Sequence, residues 1–253
     1  MHIEDVGRGE PVVLAHAGVT DRRIWDAAVP ALAEAGHRVI RYDSPGFGLS
    51  PPPEQVRSFV DDALEVLARA DVESVHWVGL SQGAATGVDL ALAHPDRVRS
   101  LALIAPGLSG YDWPELPGLA DRRAAFERGD ARGLALEVLR LWGPLSFDEA
   151  GRLLDDAAAQ VVLDQADWFL QDADEVEEPA AEPRLAEIGV PTLVVLGDQD
   201  VDAIADIGRR YARGIPGARL VTLAPADHLL PLRVPDELHP LLLEHLDRSR
   251  ERG

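Results

Sequence analysis

The chain has 253 residues and contains neither cysteine nor lysine. Without cysteine it can form no disulfide and use no thiolate chemistry. Without lysine it can form no Schiff base with a carbonyl substrate, and all 24 of its cationic side chains are arginine. No apolar run in the sequence is long enough to span a bilayer. These absences exclude disulfide frameworks, thiol enzymes, lysine-based mechanisms and transmembrane helices.

Acidic residues dominate the charge, with 44 Asp and Glu against the 24 arginines and a formal net charge of −20. Nucleic acids and anionic membrane surfaces both require a cationic protein face, so we expect neither as a partner. The N-terminal residues Met1-His2-Ile3-Glu4-Asp5 lack the basic and apolar regions of a signal peptide. We therefore expect a cytoplasmic protein.

Short apolar runs recur along the chain and are nearly continuous, which is typical of strands buried on both faces. They cover Val12–Ala15, Arg38–Tyr42, Val75–Gly79, Leu101–Ala105, Thr192–Leu196 and Arg219–Leu223. Helical patterns lie between them, at Trp25–Ala35, Val56–Ala70, Ala84–Ala93, Ile204–Ile215 and Glu237–Arg248. Alternation of this kind predicts an α/β protein with a mostly parallel, doubly wound sheet, formed by residues 1–106 and 190–253.

The alternation stops in residues 107–189, which read as helical only and which we call the helical insertion. Its predicted helices are Leu119–Arg128, Arg132–Trp142, Asp148–Gln160 and Asp164–Ala173. The segment 107–190 holds 19 Asp and Glu against 7 Arg, so it contributes 7 − 19 = −12 to the net charge. A solvated acidic face explains this charge better than a cation site or a partner site.

The sequence Gly79-Leu80-Ser81-Gln82-Gly83 follows one buried strand and precedes an alanine-rich helix. A sharp strand-to-helix turn exposes a serine at the edge of a sheet, and the flanking glycines leave room where a Cβ would clash. The start of the helix also leaves backbone N–H groups that can face a developing oxyanion. Ser81 is therefore the candidate nucleophile, although a glycine-rich turn alone is a weak signal.

A serine nucleophile needs a base, and His228 is the histidine that lies in a loop between the last strand and the last helix. His16 also follows a strand, but we interpret it as a structural brace of a small-residue loop. Asp200 is the candidate acid that orients His228, with Asp198 as the alternative because both follow the same strand. The resulting chain order, serine then aspartate then histidine, is that of one serine hydrolase class.

These residues resemble the α/β-hydrolase superfamily, over nearly the whole chain. His16-Ala17-Gly18 is similar to the family's oxyanion motif, with alanine where glycine is usual. Asp43–Ser50 and His94–Val98 are similar to two further family motifs. The resemblance implies oxyanion donors at the backbone N–H groups of Gly18 and Gln82. It also implies that the helical insertion is a cap over the site.

Two departures from the family's pattern carry expectations of their own. Alanine at position 17 puts the backbone geometry of the oxyanion loop in doubt, because alanine disfavours a positive φ. Only Met1–Val6 precedes the turn before the first clear strand, where the family has a hairpin. We therefore expect a sheet short of one N-terminal edge strand, with seven strands rather than eight.

The chemistry expected of these residues is hydrolysis of a carboxylic ester or lactone through an acyl-enzyme, with no cofactor and no metal site. Trp142, Trp113 and Phe147 are the candidate walls of a substrate pocket for a small, apolar ester or lactone. A polyanionic substrate is disfavoured unless Arg122, Arg123 or Arg140 turns inward. Hydrolysis of C–C bonds, enol-lactone hydrolysis, perhydrolysis and low-turnover ligand binding remain alternatives on the same fold. The sequence is compatible with a monomer or a homodimer.

Overall fold

The computed structural model describes residues 1–171 and 176–250. Its strands are β1 (His2–Gly7), β2 (Glu10–Ala15), β3 (His37–Asp43), β4 (Val75–Leu80), β5 (Val98–Ile104), β6 (Thr192–Gly197) and β7 (Arg219–Leu223). Its helices are α1 (Ala28–Glu34), α2 (Phe59–Arg69), α3 (Gln82–Ala93), α4 (Leu119–Glu127), α5 (Ala131–Trp142), α6 (Ala157–Leu163), α7 (Asp202–Gly214), α8 (Leu230–Arg233) and α9 (Pro235–Arg250). No helix in these residues is long and apolar enough to cross a membrane.

The described residues form one sheet of seven strands in the order β1-β3-β2-β4-β5-β6-β7. Strands β2 to β7 are parallel, and β1 pairs antiparallel with β3 at the edge. The predicted fold class and the strand count are confirmed. The hydrophobic pattern predicts no strand at residues 2–7, however, because β1 is a polar edge strand whose residues are half-buried or exposed.

Helices cover both faces of the sheet. From β2 the chain moves to β3 on one side, and from β3 it crosses back over β2 to β4 on the other side. Because both crossovers are right-handed and run in opposite directions, α1 and α2 lie on opposite faces of the sheet. Helix α9 contacts α1, and α3 contacts α2. The central strands β4 and β6 are buried along their whole length. This arrangement brings the carboxyl ends of β2, β4, β6 and β7 to one edge, where the candidate site residues follow them.

The helical insertion contains α4, α5 and α6, and the helix predicted at Asp148–Gln160 is wrong over residues 148–156. Residues 148–154 form a turn instead of a helix, because Gly151 has a φ of 73° and the Asp148 side chain accepts the backbone N–H groups of Ala150 and Arg152. Helix α6 begins only after Asp156, whose carboxylate caps it by accepting the N–H of Ala159.

The helix predicted over 164–173 is also wrong in its described part, which has only a short 3-10 helix at Trp168–Leu170. Residues 172 and 173 lie outside the described residues. The predicted bounds of α4 and α5 differ from the observed bounds by no more than one residue at either end.

The other 3-10 helices of the described residues are short and lie at Arg22–Trp25, Pro95–Arg97, Pro144–Ser146 and Glu182–Glu187.

Candidate active site

The turn that carries Ser81 is held in a conformation that few residues adopt. Ser81 has φ 53° and ψ −112°, a positive φ in a residue other than glycine. Its N–H donates to the carbonyl of Ile104 at 2.9 Å, and its carbonyl accepts the N–H of Gly107 at 3.0 Å. Because β5 and the residues after it hold both backbone groups of Ser81, the strained turn is fixed by its neighbours.

The two glycines of the motif are required by close backbone contacts. A Cβ at Gly79 would lie 2.2 Å from the carbonyl oxygen of Gly83. A Cβ at Gly83 would lie 2.5 Å from the carbonyl oxygen of Ala15, and the N–H of Gly83 donates to the carbonyl of His16 at 3.1 Å. The start of α3 therefore packs directly on the end of β2, and both glycines leave room where a Cβ would clash, as the motif predicts.

His228 and Asp200 form a buried pair at the carboxyl edge of the sheet. The Nδ1 atom of His228 lies 2.7 Å from the Oδ2 atom of Asp200, and the two side chains are 1% and 2% exposed. The other oxygen of Asp200 accepts the N–H of Val201 at 2.8 Å. With Nδ1–H donated to this carboxylate, the neutral ring has its lone pair on Nε2, which is the tautomer of a general base.

Asp198 has a different position from Asp200. Its Oδ1 atom accepts the backbone N–H of Ala226 at 2.9 Å, while its own N–H donates to the carbonyl of Leu223. It thus braces the loop between β7 and His228 from the side of β6. Of the two carboxylates that the sequence left open as the acid, Asp200 is the one whose side chain contacts the imidazole.

His16 acts on the backbone of the loops around it. The N–H of Ser44 donates to its Nε2 at 2.9 Å, so its Nδ1–H donates to the carbonyl of Ala17 at 2.8 Å. Burial lowers the pKa of His16 and so favours this neutral ring, although the Ala17 carbonyl and nearby carboxylates oppose the shift. The side chain joins the loop after β2 to the loop after β3, which is the bracing position that the sequence indicates.

Gly18 lies beside the start of α3. A Cβ on Gly18 would lie 3.8 Å from the Cβ of Gln82, so the two residues that are predicted oxyanion donors are neighbours. Ala17 does not have a positive φ, and the loop closes through the N–H of Thr20, which donates to the carbonyl of Ala17 at 3.1 Å. Alanine therefore fits at position 17 without backbone strain.

Trp142, at the end of α5, contacts His228 through both its ring and its backbone. The two rings lie 4.4 Å apart between centroids, and the N–H of His228 donates to the carbonyl of Trp142 at 3.2 Å. Trp113 packs edge-on against Trp142 at 6.3 Å. Phe147 lies under the Arg140 guanidinium at 4.4 Å instead. Of the three predicted wall residues, Trp142 thus contacts the base and Trp113 contacts Trp142, whereas no ring contact joins Phe147 to either in the described residues.

A cavity of about 360 Å³ lies between the helical insertion and the loop after β6. Its lining includes Asp200 and Val201 from the core and Arg122, Glu137 and Arg140 from the helical insertion. Burial lowers the pKa of Arg122, and the negative charge of Glu137 offsets part of the shift. A larger cavity of about 570 Å³, around Pro51 and Arg57, is lined by none of the predicted site residues.

The sequence agrees with this geometry. The profile of the family described as alpha/beta hydrolase fold matches residues 10–233 of the chain.

The chain belongs to the α/β-hydrolase family.

Curated relatives of this α/β-hydrolase span nearly its whole length. It is 30% identical, over an alignment 261 residues long including gaps, to the putative carbamate hydrolase RutD of Azorhizobium caulinodans. The alignment covers 96% of the chain and 93% of the relative. It is 32% identical over 241 residues to a 2-hydroxy-6-oxononadienedioate/2-hydroxy-6-oxononatrienedioate hydrolase of Cupriavidus pinatubonensis, covering 87% of the chain and 81% of the relative.

Among solved structures, the enol-lactonase of Burkholderia xenovorans superposes on this α/β-hydrolase with a TM-score of 0.77 at 26% identity. The match covers 97% of the chain and 96% of the enol-lactonase. All three proteins are named for a hydrolysis reaction, but the names give different substrates. They support a hydrolase and leave the bond to the chemistry of the site.

Two residues beside the candidate site, Asp227 and Arg233, were not identified from the sequence. The Asp227 side chain is fully buried next to the base, and the Arg233 guanidinium lies within 3.1 Å of it. The available signal was a carboxylate directly before His228 followed by an arginine on the next helical segment. That pattern is common on protein surfaces, so only the fold distinguishes this buried pair.

Proposed function

We propose that this α/β-hydrolase is a serine hydrolase that cleaves a small carboxylic ester or lactone through an acyl-enzyme. The observation that carries the proposal is the buried hydrogen bond of 2.7 Å between His228 and Asp200, on the same sheet edge as the strained Ser81. A buried imidazole oriented by a carboxylate is the arrangement that activates a serine hydroxyl.

In the proposed reaction, the Oγ of Ser81 attacks the carbonyl carbon while Nε2 of His228 takes the hydroxyl proton. Asp200 holds the Nδ1–H tautomer and stabilises the imidazolium that forms. The tetrahedral intermediate collapses as His228 gives its proton to the leaving alkoxide, which departs as the alcohol. Water then attacks the acyl-enzyme with His228 again as the base, and this step releases the acid and regenerates Ser81.

The backbone N–H groups of Gly18 and Gln82 are the proposed oxyanion donors. Their support is the proximity of the two residues and the brace that His16 gives to the loop before Gly18. Preorganised donors of this kind are each worth roughly 10²–10³ in kcat. The partial positive charge at the start of α3 acts in the same direction.

The helical insertion is the proposed cap, with Trp142 as the wall beside the base. The contacts of Trp142 with His228 and Trp113 support an apolar acyl or alcohol group at this point.

A second candidate substrate class, esters or diketones with a terminal carboxylate, is favoured by one observation. Arg122 and Arg140 line the cavity that also reaches Asp200, which is the condition under which the sequence admits an anionic substrate. The cavity contains the carboxylates of Glu137 and Asp200 as well, so its charge is mixed. The neutral ester or lactone therefore stays the leading proposal.

A substrate panel tests the reaction class. It contains p-nitrophenyl acetate and butyrate, a neutral lactone, a β-diketone, and a p-nitrophenyl monoester of a dicarboxylic acid. We expect turnover of the neutral esters or lactone and a loss of kcat by a factor of about 10⁶ in Ser81→Ala. A preference for the monoester would favour the second class. Retention of most esterase activity by Ser81→Ala, or binding without turnover across the panel, would overturn the proposal.

A further inference from the structure

Asp227 is a fully buried carboxylate whose hydrogen bonds join separate parts of the chain. Its Oδ2 accepts the N–H of Leu145 at 3.1 Å, and its Oδ1 accepts the N–H of Leu229 at 3.1 Å. The Nε of Arg233 donates to both oxygens, at 3.1 and 3.2 Å. One side chain therefore holds the turn after α5, the residue that follows the base, and the last residue of α8.

Arg233 extends these contacts into the helical insertion. Its Nη2 donates to the Oγ of Ser146 at 2.6 Å, and its Nη1 lies 3.3 Å from the Oδ2 of Asp156. Ser146 is fully buried, and Asp156 caps α6. The Asp227–Arg233 pair thus contacts the helical insertion at two places, the turn after α5 and the start of α6.

The base adjoins Asp227 in the chain and contacts Trp142. His228 directly follows Asp227, its N–H donates to the carbonyl of Trp142 at 3.2 Å, and the Trp142 ring packs on its imidazole. Leu145, which donates to Asp227, comes three residues after Trp142. A shift of the turn after α5 would therefore move Trp142 and the backbone of His228 together.

A buried ion pair of this kind is a weak source of stability, since an apolar pair of similar volume is often as stable. Its hydrogen bonds are directional, however, so they fix the relative positions of the groups that they join. The hydrogen bonds named above end on groups other than the imidazole, so their effect on His228 passes through the backbone on either side of it.

We propose that the Asp227–Arg233 pair positions His228. The pair does so by linking the turn after α5 to the loop that carries the base. The proposal rests on the proposed function, in which His228 must keep one orientation toward Ser81 and Asp200. Asp227 and Arg233 are positioning residues, because they act on the reaction only through His228 and Trp142.

The test compares Asp227→Asn with the double variant Asp227→Asn/Arg233→Gln. The single variant leaves the guanidinium without its carboxylate partner at position 227, whereas the double variant removes both charges together. We expect kcat on p-nitrophenyl acetate to fall about tenfold to a hundredfold in both, because a displacement near 1 Å costs up to about that much. We expect KM to change by less than about twofold. Arg233→Lys keeps the positive charge but loses the several N–H donors of the planar guanidinium. We expect its kcat to lie between that of the wild type and that of the double variant.

Asp62→Asn is the matched control. Asp62 in α2 is also a buried carboxylate paired with one arginine, Arg57, at 2.9 Å, and it lies outside the loops that carry Ser81, Asp200 and His228. We expect its kcat to equal that of the wild type. Wild-type kcat in the folded double variant, whatever its Tm, would overturn the proposal. Recovery of kcat in the double variant after a loss in Asp227→Asn would also overturn it, because an unpaired charge alone would then explain the loss.

Proton NMR gives a readout that needs no turnover. The Nδ1–H proton that His228 donates to Asp200 should give a low-field resonance, assigned by its loss in His228→Ala. We expect this resonance to broaden in the double variant and to stay sharp in Asp62→Asn; a sharp, unshifted signal in the double variant would contradict the proposal. If Ser81→Ala kept the esterase activity, the proposed function would fail, and this resonance would still test the positioning of His228.

Discussion

At the scale of single residues, the site depends on the absence of side chains at Gly79 and Gly83. We predict that Gly83→Ala lowers the free energy of unfolding by about 1–3 kcal/mol, because the new Cβ meets the carbonyl oxygens of Ala15 and His16 at 2.5 and 2.7 Å. Urea denaturation measures the change. Gly189→Ala is the control, since among the described residues only its own chain neighbours come within 4 Å of the place its new methyl group would take, and its φ is ordinary. Equal stability of the two variants would contradict the prediction.

The residues of the candidate site divide into those that the sequence identifies and those that it cannot. Ser81, Asp200 and His228 are identifiable because each follows a predicted parallel strand, and such strands end at one edge of the sheet. The choice between Asp198 and Asp200 needs coordinates, since two carboxylates two residues apart point to different partners.

Asp227 and Arg233 were missed for a different reason. Their partners in the helical insertion, Leu145 and Ser146, lie more than eighty residues away in sequence. Nothing local in the sequence distinguishes such a buried pair from two exposed charges, because burial at this point is decided by how the insertion packs on the loop after β7.

At the scale of elements, hydrophobic pattern predicts the buried strands and turn chemistry explains the errors. The central strands read as continuous apolar runs because helices cover both of their faces. Strand β1 lacks that signal, since it lies at the edge and its side chains pair with arginines of β3, as Asp5 does with Arg38 at 2.6 Å. Sheet pairing rather than an apolar pattern makes residues 2–7 a strand.

The helical insertion gives the complementary case. Helix α5 has a clear apolar face, with Leu134, Ala135, Val138 and Leu139 buried, and the sequence finds it. The segment 148–156 has the helix-compatible spacing but also aspartates and a glycine that satisfy the backbone locally. Asp148 accepts two backbone N–H groups and Gly151 takes a left-handed conformation, so the turn is favoured over the helix.

At the scale of the whole molecule, buried histidines make stability depend on pH. Burial in the contact between α9 and β5, together with the positive charges of the nearby His76, Arg219 and Arg248, lowers the pKa of His245 to about 4. The Leu101 backbone opposes the shift, as does the negative charge of Glu244 beside it. In the unfolded chain a histidine titrates near pH 6.5. The unfolded state therefore binds this proton first as the pH falls, and the folded state loses stability between about pH 6.5 and pH 4.

We predict that His245→Leu removes about 3 kcal/mol from the difference in the free energy of unfolding between pH 7 and pH 4. Asp62 and Asp89 act in the opposite direction, because burial raises the pKa of each to about 6 and the folded state gains protons in the same window. The test is therefore the difference between variant and wild type in chemical denaturation at the two pH values. The same pH dependence in both proteins would contradict the assignment to His245.

The nucleophile itself can be tested by mass spectrometry after reaction of the folded chain with a fluorophosphonate. We predict a single adduct on the peptide that contains Ser81, slower labelling in His228→Ala, and no adduct in Ser81→Ala, because only an activated serine hydroxyl reacts in this way. A folded wild-type chain that stays unlabelled, or one labelled at another serine, would contradict the proposal that Ser81 is activated by His228 and Asp200.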